Sequence, residues 1–446
     1  MEPKKQTIII VLIAVIATAG IVAGVTYVIL APTPEGEVDA LEIYHWWTSG
    51  GEAAAIGALI GEFEALHPTT TVYSVQIAGG GGFEMRVKIK TLMLAGQPPD
   101  TFQIHNGYEW TIFYDAGLLD NIDHIWTTAL KAAVPDVVED ISKGPDGHYY
   151  AVPVNIHRSN VLWYNAKVLQ YSGIDPLTLT TWSAFWAACD TLIANGTNGI
   201  TKPVAMGEQW TAAHAFEQVL ASVGIDTYEA WINGEIDSGS ATHYADLLTA
   251  CEIYENLTTY INSDWNGLSW DGAIAKLLAA TPTAAFSIMG DWANGEFYQA
   301  GWDHGVDYGT IGVPGTGTMY GLVVDCFEKP KNILHPTAVN NWLGVVASKD
   351  GQDAFNPLKG SISARTDANV SKYGAYQQSA LVDFSTVTYM FPSVVHGSGA
   401  PEAFNTDLSP LIGALTSGSA TASATATAIA ALAATYSSDF TKTWSL

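Results

Sequence analysis

The alternation of strand and helix signals between Leu41 and His105 constrains this chain more than any other feature. Leu41 to Trp46 alternates with the two-residue period of a strand. Ser49-Gly50-Gly51-Glu52 has the spacing of a capping box. Ile56, Leu59, Ile60, Phe63 and Leu66 then recur at helical intervals until Pro68 stops the helix. Thr71 to Ile77 is a second strand, Glu84 to Leu94 a second helix closed by Gly96 and Pro98-Pro99, and Thr101 to His105 a third strand. Such a βαβαβ unit predicts a parallel sheet whose ligands bind beyond the strand C-termini.

The mixture continues downstream. Asn160 to Tyr164 and Thr283 to Met289 have strand character, and the latter runs into Gly290-Asp291. Trp182 to Ala194 and Ala212 to Val223 have helical spacing. Pro357 to Ser363 reads as a loop. Gly418 to Tyr436, rich in Ala, Thr and Ser, reads as a terminal helix, because Ala favours helix and Ile429, Leu432 and Tyr436 sit near helical spacing. With 446 residues, the chain is long enough for two domains with separate cores.

Charge and hydropathy restrict the partners. The net charge is −26, with arginine only at Arg86, Arg158 and Arg365. Such a surface repels nucleic acid and anionic headgroups and favours a neutral ligand. Hydrophobic residues make up 48% of the chain and charged residues 14%, which excludes a disordered polymer. Thr7 to Ala31 is an unbroken apolar run behind Lys4 and Lys5, long enough to span a bilayer. The lysines predict that everything after Pro32 lies outside the cell. No cysteine follows the run, so a lipoprotein anchor is excluded. Retention as an N-terminal transmembrane helix is the expectation, with processing, including a cut near Lys5-Gln6, as the alternative. Pro32 to Glu37 reads as a short linker.

Several residue groups carry candidate chemistry. His45-Trp46-Trp47 ends the first strand, where exposed indoles can stack on the C–H face of a sugar ring. Gln103 and His105 lie on one side of the third strand and suit hydroxyl groups. Asp291 follows a strand and can accept from two adjacent hydroxyls or cap the next helix. Gly79 to Gly82 lacks the Lys and Ser/Thr of a phosphate loop and reads as a flexible connection. No HExxH, helical metal pair, C-x-x-C or G-x-S-x-G is present, so neither metal catalysis nor a nucleophile elbow is indicated. A glycoside hydrolase remains the enzymatic alternative, although nothing selects its carboxylate pair.

Eight stretches in order, spanning about residues 41 to 405, together resemble the glucose/mannose-type extracellular solute-binding proteins of ABC importers, within the maltose-binding-like family. They are HWWTSGGE at 45–52, QPPDTFQIH at 97–105, VPVNIHRSN at 152–160 with Trp163-Tyr164, GEQW at 207–210, GLSW at 267–270, IMGDWA at 288–293, FNPLKGS at 355–361 and VHG at 395–397. The resemblance implies a two-lobe α/β fold of the periplasmic-binding-protein type II, with a hinge and an interlobe cleft. The implied division is residues 1–36 as anchor and linker, 37–150 with 314–348 as the first lobe, and 151–313 with 349–446 as the second. It implies a monosaccharide, glucose-like, held by Trp46, Trp47, Gln103, His105, Trp270, Asp291, Lys359 and His396, with Trp210 and His157 as further candidates. It implies permease subunits of an importer as partners, no cofactor, and a receptor at the cell surface rather than an enzyme. Cys189 and Cys251 lie in helical stretches of one implied lobe and are a candidate disulfide pair that would leave Cys326 free, with three unpaired buried cysteines as the alternative.

Overall fold

A computed structural model describes residues 39–236, 241–442 and 444, and residues from Ala40 onward form one unit. The apolar run Thr7 to Ala31 and the linker after it lie outside the described residues. Among the described residues no helix is long and apolar enough to cross a membrane.

The alternating N-terminal segments form the unit their periodicity demands. β1 (Ala40–His45) pairs in parallel with β2 (Thr71–Gln76) and β3 (Thr101–His105). The antiparallel strand β11 (Asp325–Glu328) and, beyond it, β4 (Ala151–Pro153), which runs in the direction of β1–β3, complete this five-stranded sheet in the order β2-β1-β3-β11-β4. A second, four-stranded sheet has the order β7-β8-β6-β9, from β6 (Val161–Asn165), β7 (Val204–Ala205), β8 (Phe286–Ile288) and β9 (Tyr308–Gly312). A smaller sheet of β5 (His157–Arg158), β10 (Met319–Val323) and β12 (Tyr389–Pro392) accompanies them. The chain leaves the first sheet through residues 154–156 and re-enters it through Val324. These two connections run side by side: Val154 N–H donates to Asp325 O at 2.9 Å, and Asp325 N–H to Asn155 Oδ1 at 2.8 Å. The result is the two-lobe α/β architecture.

Helices cover these sheets. In chain order the principal ones are α1 (Gly50–Leu66), α2 (Phe83–Leu94), α3 (Trp182–Ala194), α4 (Gln209–Val223), α5 (Ala241–Thr258) and α6 (Trp270–Leu278). They continue with α7 (Ala293–Gln299), α8 (Pro336–Val346), α9 (Lys349–Lys359), α10 (Ala375–Thr386), α11 (Glu402–Thr416) and α12 (Ala422–Tyr436). α12 is an integral part of the second lobe. Thr421 caps it by accepting from Ala424 N–H at 3.3 Å, and its buried stripe Ala426, Ile429, Ala430 and Ala433 packs on α5 and α11. Burying Ile429 alone contributes about 1.5–3 kcal/mol.

Four local expectations are corrected. Ser49 does not cap α1 with its own side chain, and Glu52 does not reach back to it. Glu52 pairs with Lys359 instead, and Glu296 of α7 accepts from Gly51 N–H at 3.1 Å. A partner from a neighbouring helix thus satisfies the orphan donor that a local cap would have taken. Pro357 does not open a loop. It sits in the last turns of α9, which closes at Gly360 with φ +95°. α9 packs along α1, against the layer that covers the first sheet. Cys189 and Cys251 are not bridged, and all three cysteines are free and buried. Cys189 lies on the face of α3 that carries Phe185, whose ring meets Phe286 of β8 at 5.0 Å, while the helix of Cys251 packs on α4 and α12. Each thiol serves as a small core side chain. Finally, Gly79 to Gly82 is no slack connection: all four residues have positive φ, and the run forms part of the cleft wall.

Candidate functional site

The site follows from strand register. β11 runs antiparallel to β3, and Asp325 stands opposite His105 at the end of both strands. Trp46 follows β1 at the same sheet edge. From the second lobe, Trp292 follows the end of β8, Trp210 occupies the first turn of α4, and Trp270 opens α6. These elements enclose a cleft of about 280 Å³.

Five indoles line it: Trp46, Trp47, Trp210, Trp270 and Trp292. The Trp46 ring lies 4.9 Å from His105. A Cβ on Gly82 would stand 2.6 Å from the Trp46 ring, and the φ of +91° there favours glycine, so this position gives the indole its room. Trp47 is fully buried against Phe327 (5.8 Å) and Phe355 (4.9 Å) and packs within the cleft wall. The indole N–H groups of Trp47 and Trp210 have no protein partner.

The polar wall is a connected set of charges. The Asp325 carboxylate accepts from Gln103 Nε2 at 2.9 Å and Asn155 Nδ2 at 2.7 Å, and it lies 3.3 Å from His157 Nε2 and 3.8 Å from His105 Nε2. Burial alone would raise its pKa, but the His157 hydrogen bond and charge, with the charges of Lys359 and His105, hold it below the usual carboxylate range. His157 is sandwiched: its Nδ1 bonds Asp291 while Nε2 faces Asp325. Burial disfavours its cation, yet Asp291 carries the pKa above the ordinary imidazole value. Lys359 Nζ reaches Glu52 at 2.9 Å and stands 5.9 Å from both the Trp47 and Trp292 rings. His396 faces Trp292 at 5.0 Å and His105 at 5.4 Å, and burial with neighbouring His214 keeps it neutral.

The structure brings Trp46, Trp47, His105, Trp270, Lys359 and His396 together on the cleft, with Trp210 and His157. It places Gln103 and Asp291 one layer behind. Both are fully buried. Gln103 accepts from Trp46 N–H at 3.1 Å while donating to Asp325, and Asp291 accepts from Arg158 N–H at 3.0 Å while holding His157. They orient cleft groups rather than face the cleft. Sequence reasoning missed Asp325, Glu52 and Trp292 as lining residues. Trp292 stood inside the IMGDWA stretch, where Asp291 drew the attention. Asp325 carries no local signal, since only the β3–β11 register brings it to His105. The arrangement offers stacking faces, fixed donors and fixed acceptors to an uncharged, hydroxylated ring.

Known proteins share this fold and sequence pattern. Residues 28–353 match the family model described as bacterial extracellular solute-binding protein. An uncharacterized ABC transporter extracellular-binding protein of Pyrococcus horikoshii is 40% identical over 91% of this chain and 90% of its own length. A probable sugar-binding periplasmic protein of Rhizobium meliloti is 31% identical over 85% of this chain and 90% of its own. Among solved structures, the bacterial solute receptor AcbH, described as having an exclusive preference for β-D-galactopyranose, superposes with a TM-score of 0.75 at 17% identity, covering 91% of this chain and all (100%) of that one.

Proposed function

Because the chain belongs to the bacterial extracellular solute-binding protein family, we propose that it is the cell-surface receptor of a sugar-importing ABC transporter and closes on one neutral, glucose-like monosaccharide. Proteins of this kind are receptors rather than enzymes. One observation carries the ligand class: five indoles and a set of buried, mutually paired charges converge on one small cleft. Indole faces take the apolar C–H surfaces of a pyranose. Lys359 and Asp325 take its hydroxyls with charge-assisted hydrogen bonds, while His157 braces Asp325 from behind. At about 280 Å³ the cleft falls at the small end of the range of about 300–1,000 Å³ for ligand sites, which suits one ring. The likeness to sugar-binding relatives points the same way.

Closure is a hinge motion through residues 154–156 and Val324, where the two connections run together. The lobes are the layers around the five-stranded and four-stranded sheets. Permease subunits read the closed form. The Thr7 to Ala31 run tethers the receptor, so the native protein should fractionate with membranes; native protein starting near Glu37 and found in solution would defeat the tether. The ligand is tested by titrating D-glucose, D-galactose, D-mannose, xylose and maltose by calorimetry. A micromolar monosaccharide affinity, about −8 kcal/mol, is the expected result. Preference for maltose would overturn the single-ring reading.

A further inference from the structure

We propose that Glu217 is a positioning residue of the sugar site, which sets the loop at 393–396 so that His396 enters the cleft. The inference rests on the sugar-site reading above and names a residue outside the cleft wall. It begins with spacing. Trp210, His214 and Glu217 lie at i, i+4 and i+7 on α4, on one helical face. Trp210 lines the cleft. His214 Nδ1 meets His396 Nε2 at 3.0 Å. Glu217, one turn further, is fully buried and has no ion-pair partner among the described residues.

What surrounds Glu217 is a ring of donors. Its carboxylate accepts from Tyr228 O–H at 2.7 Å, Ser393 O–H at 2.8 Å, Val394 N–H, Gln218 Nε2–H at 3.3 Å and, at 3.4 Å, Val395 N–H. Three of these five belong to the loop that carries His396. Ser393 Oγ in turn accepts from His396 N–H at 3.1 Å. A relay thus runs from Glu217 through Ser393 to the backbone of His396. The far end of the loop is seated on the first lobe, where Glu109 N–H donates to Gly397 O at 2.8 Å. The imidazole then meets His105, Trp210, His214 and Trp292 edge-on, with groups from both lobes.

A buried carboxyl with no cation is an expensive core residue. An apolar side chain would fill the same space, but it would leave several buried donors unpaired. Only an acceptor with two oxygens serves them all. Burial raises the carboxyl to about 7. The titratable groups around it are Tyr228 from the Ile225–Ile232 helix, His214 on its own helix and His396 on the loop.

The test is a double-mutant cycle on the full chain, with affinities for D-glucose, D-galactose and D-mannose read by calorimetry. Glu217→Gln keeps the shape but replaces one acceptor oxygen with a donor. We expect it to weaken the tightest of these sugars 10- to 100-fold, and to change affinity less than twofold when His396→Ala is already present. Equal losses in both backgrounds would show a general structural role and overturn the proposal. Ser393→Ala, which buries no new polar group, gives the same cycle should Glu217→Gln not fold. If wild type binds none of these sugars, the sugar-site reading fails. The positioning of His396 is then still decided by its ring resonances in the sugar-free protein. Glu217→Gln or Ser393→Ala should move them and leave those of His335 unchanged; unmoved His396 resonances would refute the relay.

Discussion

Replacing Asp325 with Asn removes one charge from the middle of the polar wall while keeping its shape. Asp325 holds Gln103, Asn155 and His157 together, and the flanking carboxylates Asp291 and Asp325 raise the His157 pKa above its ordinary value against the effect of burial. The amide oxygen of the variant still accepts from Gln103 or Asn155, but its NH₂ group faces the His157 N–H. Losing one partner of a buried charge pair costs about 3 kcal/mol. We therefore predict that Asp325→Asn lowers the unfolding free energy by about 2–4 kcal/mol at pH 7. The sign with pH follows from the depressed carboxyl. Its contribution is complete above the unfolded value of 3.8 and is lost as pH falls through the lower folded value. The gap between wild type and variant should thus be widest near neutrality and narrow in acid. Urea titrations at several pH values measure it. Sugar affinity should fall about 10- to 100-fold, the worth of one hydroxyl bond to a charged acceptor. A variant as stable as wild type at pH 7, or a gap that widens in acid, would refute the assignment of Asp325 as the organising carboxylate.

Other substitutions probe separate parts of the cleft. Trp292→Ala removes a ring that faces His157, Trp210 and His396; calorimetry should show a loss of about 2 kcal/mol or more in sugar binding, and unchanged affinity would take the indole out of the site. Gly82→Ala adds a Cβ 2.6 Å from Trp46 at a left-handed φ. It should therefore weaken sugar binding and destabilise the protein by more than 1 kcal/mol in a urea titration. The three buried thiols should resist alkylation in the folded protein, and all three should react after unfolding without reductant; recovery of a single reactive thiol would reinstate a disulfide.

How much of this was legible in the sequence depends on range. The βαβαβ unit and the helices α1 and α3 were readable because each rests on contiguous periodicity. The cleft aromatics Trp46 and Trp270 were readable because they follow or open regular elements inside recognisable stretches. Three features were not. Asp325 reaches the cleft through antiparallel pairing across more than 200 positions, from His105 to Asp325, and no local pattern encodes that. Pro357 looked like a helix breaker, yet α9 continues through it to Lys359, because packing of this helix along α1 outweighs one lost backbone hydrogen bond, and that packing is not visible locally. The four glycines at 79–82 looked like slack, but the close packing of Trp46 and Trp210 on Gly82 and Gly81 shows what their missing side chains are for. The Asp291 reading shows a different limit: a carboxylate at a strand end was correctly located in sequence, but whether it faces the cleft or braces His157 is decided by tertiary packing alone.

The central claim is that this cleft captures a sugar without altering it. Calorimetric titration of the purified protein with D-glucose, D-galactose and D-mannose, followed by chromatography of the recovered sugar, tests it most directly. Saturable binding of at least one of them is expected, one molecule per chain, with the sugar recovered intact. No binding of any neutral sugar, or recovery of a chemically altered product, would contradict it.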